Sequence, residues 1–469
     1  MANSKESPFS DDSPKDNIIF TVHKCQPELV APAIPTPHEL KLLSDIDDQD
    51  FLRFPPSLIQ IYRNESPTVE KDAVEIIREA LTKTLVFYYP FAGRLREVYG
   101  RKLMVDCTGE GVIFIEADAD ATLDQFSGSL QLAPFQYSQQ FLYDSCSQEI
   151  TNCPLLVIQV TRLKCNGLIL GIRWNHNMSD ATGLSQFMNA WAEMARGARK
   201  PSIAPVWRRD LLMARDPPRI TCHHREFEQV LGTNERTISY DNMLHRPFFF
   251  GPTEVAAIRR LVPHHLRNCT TFDVITACLW RCRTKALRID ADEDVSMMCI
   301  VNARARFNPR IPVGYYGNVF AYPAAVTTAR KLCENPFGHA VEMIKRVKKE
   351  VTEEYMHSVA DLMVLKGRRM FTRTMRSCIV SDLTSIGLRD VDFGWGKAVS
   401  SGMAKGGTGD FPGTTPFYAH KNAKGEEGVV VPLWLPAEAM SRFVKELDDM
   451  VGNQNQPPTS GSSFIRSTF

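Results

Sequence analysis

Between Leu155 and Trp174 the chain reads LLVIQVTRLKCNGLILGIRW, two apolar runs around Asn166-Gly167. Two β-prone runs joined through Asn-Gly form the strongest short-range hairpin signal, so an antiparallel pair is the first element the sequence specifies. The second run stops at His176, and Ser179 or Asp180 can then cap the segment ATGLSQFMNAWAEMARGA. Leu184, Phe187, Met188, Trp191 and Met194 recur along it at helical spacing, and Gly197 is a C-terminal stop. A buried strand handing over to a helix is a building unit of layered α/β domains.

Helical and strand patterns alternate through the rest of the chain without an internal repeat. Asp72–Tyr88 carries Ala73, Ile76, Ile77, Ala80, Leu81 and Leu85 at helical spacing, and Pro90 and Gly93 end it. RKLMVDC and VIFIEA read as strands joined by the turn TGEG. From Ala198 to His224 the Pro- and Arg-rich ARKPSIAPVWRRDLLMARDPPRITCHH has little periodicity and is expected to cross between domains. Beyond it we expect helices near 253–262 and 271–287, a strand at 296–302 and one long helix at 336–357. Strand SCIVSDL, loop VDFGWGKA, strand VVVPLWL and a helix at 436–450 complete the pattern. GGTGDFPG reads as a flexible loop. The expected fold is therefore two α/β domains of similar size with mixed sheets, at 17–200 and 231–451. Residues 201–230 link them, and solvated tails lie at 1–16 and 452–469.

Charge and composition exclude several classes. A formal net charge of +1 gives no sequence-independent attraction to nucleic acid or to an anionic membrane. No apolar run approaches the ~18 residues of a membrane span, and the polar MANSKESPFSDDSPKDN has no signal-peptide core. The C-terminal Ser-Thr-Phe is not a peroxisomal signal of the Ser-Lys-Leu type. Twelve scattered cysteines without a Cys-x-x-Cys imply reduced thiols, and a cytoplasmic monomer is expected. Cys222-His223-His224 and His264-His265…Cys269 lack a matching second pair, so we read them as ordinary polar residues and expect no metal.

The chemistry centres on His176. A histidine four residues before an aspartate should occur about once by chance in a chain of this length, and here it occurs twice. His357…Asp361 ends the amphipathic pattern VEMIKRVKKEVTEEYM and reads as an i, i+4 pair on a helix surface. His176…Asp180 instead lies beyond the C-terminal end of a buried strand, where α/β layers place their sites. Asp180 then caps the following helix or pairs with a cation. There is no Gly-x-Ser-x-Gly elbow and no phosphate-binding Gly-x4-Gly-Lys-Ser/Thr. A histidine without a serine or cysteine partner suits a general base acting on a substrate hydroxyl. Spacing alone leaves a structural histidine open.

A second stretch, DFGWGK at Asp392–Lys397, makes a tight loop that orients an indole. Together HNMSD and DFGWG resemble the paired H-x-x-x-D and D-F-G-W-G signature of the plant BAHD acyltransferases. YYPFAGRL, TTFDVITACLWR and NARARFNPRIPVGYYGNV are similar to further blocks of that family, so the likeness runs along most of the chain. The resemblance implies a two-domain α/β fold with a solvent channel at the domain interface. It also implies acyl-CoA as co-substrate, a small alcohol as acceptor, and no permanently bound cofactor. His176 would be the base, Asp180 would pair with Arg304, Trp395 would donate to the oxyanion, and Asp392 would anchor its loop. Thr271 would contact CoA. Pro55 stands where some members carry a threonine near the acyl-CoA carbonyl.

PVWRRDLLMARDPPR, FFFGPTEVAAIRRLVPHHLR and AKGGTGDFPGTTPF are similar to the family's ester-forming alcohol acyltransferases. What that implies is transfer of an aromatic acyl group, benzoyl first, to a neutral alcohol such as benzyl alcohol. Acetyl- or anthraniloyl-CoA as donor, an alkaloid hydroxyl as acceptor, and an idle acyl-CoA-binding relative are the alternatives. The hydroxycinnamoyl-shikimate branch has a carboxylate-binding arginine seven residues before the motif aspartate. Ser385 stands there in this chain, with Arg389 nearby, so an acidic acceptor is not expected.

Overall fold

The computed structural model describes residues 18–63, 72–126, 135, 137–144, 150–228, 243–368, 375–404, 414–422 and 424–452. The N-terminal tail, GGTGDFPG and all of the C-terminal tail except Gly452 lie outside the described residues.

Leu156–Leu163 and Leu168–Trp174 pair antiparallel, with Leu156 opposite Trp174 and Arg162 opposite Leu168. The connection is longer than the two-residue turn Asn-Gly suggests. It spans Lys164–Gly167, and the Leu163 N–H donates to Gly167 O at 2.9 Å. Asn166 supplies the left-handed residue at φ 60°. Gly167 sits closely packed, since a Cβ there would come within 2.8 Å of Leu123 Cδ1 and 3.2 Å of Tyr62 O.

This hairpin forms the middle of a sheet ordered Val22–Lys24, Val112–Ala119, Leu156–Leu163, Leu168–Trp174, Ser57–Tyr62 and Ser400–Met403, with Glu28–Val30 also on Val112–Ala119. Its Val112–Ala119 and Leu156–Leu163 strands run parallel, and the hairpin is antiparallel. Helices α1 (Ala73–Phe87) and α2 (Ala181–Ala195) pack together and share one hydrophobic core with the sheet. Asp72 and Asp180 cap them, accepting from the N–H groups of Val74 and Gly183.

The second sheet is ordered Met243–Phe250, Glu427–Pro436, Thr414–Lys421, Ser377–Asp382, Asp294–Cys299 and Ala324–Thr328. Its central pairs are parallel and its outer pairs antiparallel. Around it lie α3 (Pro252–Arg260), α4 (Thr271–Ala286), α5 (Ala329–Glu334), α6 (Phe337–Glu350), α7 (Glu353–Lys366) and α8 (Ala437–Gly452). Two α/β domains with mixed sheets result. Among the described residues no helix is long and apolar enough to cross a membrane.

Three features depart from the sequence expectations. The single helix at 336–357 is two helices. Val351 is buried and extended, and the Thr352 side chain accepts from the Tyr355 N–H to open α7. A β-branched Val-Thr pair favours a break, and threonine is a good N-cap. Asp361 is therefore not on a helix surface: it is fully buried and accepts from the Arg215 backbone N–H and Nε, both at 2.6 Å. Finally, the two cores do not follow one cut in the chain. Ile46, Phe51 and Leu52 belong to the second core, whereas Leu388, Val391, Phe393 and Trp395 belong to the first.

Candidate active site

His176 lies in the turn between strand Leu168–Trp174 and α2. Its backbone N–H donates to Phe54 O at 3.2 Å, and the Met178 N–H closes the turn on Asn175 O at 3.0 Å. The imidazole is partly exposed and packs against Phe54, Phe320 and Trp174, with ring centroids 5.4, 6.1 and 6.2 Å away. Burial pulls its pKa below that of an ordinary histidine. Its own backbone, the Asp180 and Asp47 charges and Asn318 offset this only in part. A neutral imidazole at neutral pH is the form a general base requires.

Asp180 lies one turn on and is held by the second half of the chain. Its carboxylate accepts from Arg304 Nη1 at 2.7 Å and Nη2 at 2.9 Å, from the Gly183 N–H at 2.9 Å and from the Val319 N–H at 3.2 Å. The second half of the chain thus docks on the first turn of α2. Gly183 permits the contact, since a Cβ there would lie 2.0 Å from Tyr316 O.

Behind His176 stand three residues that sequence reasoning missed. Asn318 Oδ1 is 3.1 Å from His176 Nδ1, Asp47 accepts from Asn318, and Arg209 Nη1 sits 3.1 Å from Asp47 Oδ2. No local pattern marks them. Asp47 belongs to the acidic run SDIDDQD, yet it is fully buried. Arg209 is in the expected linker, yet only 1% of it is exposed.

Asp392 and Trp395 are not brought to His176: the indole is not placed to donate to an oxyanion there, which corrects its expected role, while Asp392 anchors its own loop. The strand Ser400–Met403 that follows their loop runs antiparallel to Ser57–Tyr62, with Ser400 opposite Ile61. The loop therefore sits at the Tyr62 end of the sheet, while His176 leaves at the Ser57 end. Five strand residues separate those ends by roughly 17 Å at ~3.3 Å each. Consistently, Phe393 packs on Trp191 and Tyr62, and Gly394 lies against Arg196 beyond the C-terminus of α2. Asp392 Oδ1 accepts from the N–H groups of Gly394 (2.8 Å) and Gly396 (3.0 Å), whose φ angles of 118° and 109° demand glycine. The loop is a built structural element.

A cavity of about 470 Å³ lies beside Ser400–Met403, lined by Leu58, Ser385, Arg389, Met403 and Tyr418 among others. Leu58 pairs with Ile172, four residues ahead of His176. Residues 20–450 match the family model described as "Transferase family". The chain belongs to this family of BAHD acyltransferases.

It is 59% identical over 458 residues to a benzyl alcohol O-benzoyltransferase of Nicotiana tabacum, covering 97% of this chain and 99% of that one. A protein of the same description from Petunia hybrida is 58% identical over 457 residues, covering 97% and 99%. The crystal structure of vinorine synthase superposes with a TM-score of 0.69 at 21% identity, over 90% of this chain and 96% of that one, and shares the fold. In this BAHD member Pro55 directly follows Phe54, whose carbonyl accepts from the His176 N–H, and can offer neither hydroxyl nor N–H. Thr271 opens α4, and its Oγ1 accepts from Arg259 Nη2 at 3.2 Å.

Proposed function

We propose that this acyltransferase moves a benzoyl group from benzoyl-CoA to a small neutral alcohol such as benzyl alcohol, with His176 as general base. The observation that carries the proposal is a partly exposed imidazole at the end of a buried strand, with burial holding its pKa below the ordinary histidine value. In the reaction, Nε2 takes the hydroxyl proton as the oxygen attacks the thioester carbonyl, and the tetrahedral oxyanion collapses with loss of CoA thiolate. Thiolate leaves readily, so the protein chiefly holds the partners in line. Asp180 and Arg304 keep the turn of His176 in place. The oxyanion donor is neither Trp395, which is too far, nor Pro55.

The residues around Ser385 support a neutral acceptor. A buried acceptor carboxylate needs a charge-assisted partner, and Ser385 offers none. Arg389 spends its Nη1 and Nη2 on the carbonyls of Ala419 and Val399, both at 3.3 Å. Two relatives named for benzoyl transfer to benzyl alcohol support the same choice. We further propose Thr271, beside the Arg259 guanidinium, as a contact for CoA, and a monomeric, cytoplasmic enzyme whose domains meet across residues 201–230.

Competition among benzyl alcohol, hexenol, shikimate and quinate for benzoyl-CoA, with esters identified by mass, tests this reading. Benzyl ester should dominate with some hexenyl ester, because apolar contact discriminates by only ~1–3 kcal/mol per methylene. Efficient acylation of shikimate or quinate with benzyl alcohol left unreacted would overturn it.

A further inference from the structure

Asn318 reaches His176 from the other half of the chain, and its own contacts, beside the backbone of His176 itself, bear on where the imidazole proton sits. The carboxamide nitrogen is fully committed. Nδ2 donates to Asp47 Oδ1 and to His176 O, both at 2.8 Å. A flipped amide would set its oxygen against a carboxylate and a carbonyl, three acceptors with no proton among them. Oδ1 must therefore face His176 Nδ1, and it can only accept.

Asp47 is in turn held from several sides. Its Oδ1 accepts from the Asn318 backbone N–H at 2.9 Å, and its Oδ2 accepts from Ser44 Oγ at 2.6 Å. Arg209 Nη1 lies 3.2 and 3.1 Å from the two oxygens, while Nη2 donates to Met178 O at 2.8 Å. The guanidinium is enclosed by the rings of Trp207, Tyr315 and Tyr316, 4.5 to 5.2 Å from its carbon. Gly317 leaves the space it occupies: a Cβ there would fall 1.2 Å from Nη1.

We propose that Asn318 is a positioning residue for acyl transfer: its carboxamide, oriented by Asp47, holds His176 in the tautomer with the proton on Nδ1, leaving Nε2 as the base. This rests on His176 being the base. When Nε2 takes the hydroxyl proton, the new C–O bond forms and the C–S bond breaks. Both ring nitrogens are then protonated, with the Nδ1 N–H still donating to Asn318 Oδ1, and Nε2 returns its proton to the departing thiolate. The ionisable groups facing the ring are Asp180, paired with Arg304, and Asp47, paired with Arg209. Its other neighbours, Phe54, Trp174 and Phe320, carry no charge.

The test is a long-range ¹H–¹⁵N correlation spectrum of ¹⁵N-histidine-labelled protein, with the His176 signals assigned by their loss in His176→Ala. The wild-type ring should carry its proton on Nδ1, and Asn318→Ala should show a mixture of tautomers. Turnover of Asn318→Ala should fall about 10–100-fold, the scale of losing a histidine-orienting partner, with KM for both substrates within about twofold. A proton on Nε2 in the wild-type enzyme overturns the inference, even if Asn318→Ala does not fold. So does an unchanged kcat in a folded Asn318→Ala. If His176→Ala itself keeps its turnover, the base assignment falls instead. If His176→Ala loses turnover and Asn318→Ala does not, only the role of Asn318 falls.

Discussion

His176 and His357 share the same spacing to an aspartate but not the same surroundings, and their substitution separates chemistry from structure. His176→Ala should lower kcat by about 10²–10⁴-fold, the usual worth of a general base, whereas His357→Ala should leave it nearly unchanged; equal losses would refute the assignment. Because burial lowers the His176 pKa, the unprotonated base persists as pH falls below the ordinary histidine value of about 6.5. The acid limb of kcat/KM should therefore lie below that value, and a limb at or above it would contradict the burial. Asp180→Ala strands the Arg304 guanidinium, a loss of about 3–5 kcal/mol when one member of a buried pair is removed. Calorimetry should show a lowered Tm; an intact Tm with lost turnover would give Asp180 a direct chemical role. His176 and Asp180 were legible in the sequence because cap and turn are local. Asn318 and Asp47 were not, since they meet across 271 positions of chain.

At the level of elements, close approach decides which glycines matter. Gly317→Ala places a methyl group on the Arg209 guanidinium, so it should lower Tm sharply and lose activity with it. Gly197, at φ 90°, has open space where a Cβ would stand, with nothing within 4 Å, and Gly197→Ala should cost only about 1 kcal/mol of backbone strain. Similar Tm values for the two variants would disprove the packing of the 315–318 loop. Most element positions could be read from periodicity: α1, α2, α4 and α8 lie within a few residues of expectation. The hairpin was legible and its turn was not, because the Leu163 N–H closes on Gly167 O around a four-residue connection rather than the two-residue turn that Asn-Gly suggests. The long helix broke at Thr352 because a cap and a buried valine outweighed a continuing apolar pattern.

Of the two large sheets among the described residues, the first takes its edge strand, Ser400–Met403, from the second half of the chain, and this is what a single sequence hides. DFGWG is easy to see, but its distance from His176 depends on Ser400–Met403 crossing to the other domain's sheet. The linker also looked structureless, although Arg209 within it closes the network behind His176. The complete enzyme should pass the acyl group directly from thioester to alcohol, without an acyl-enzyme intermediate. The most direct measurement is rapid-mixing detection of free thiol from benzoyl-CoA, with and without benzyl alcohol, alongside ester quantified by mass. Direct transfer predicts negligible thiol release without alcohol, and with alcohol one ester formed per thiol and no burst. A burst of one thiol per enzyme in the absence of alcohol, or thiol release without ester, would contradict it.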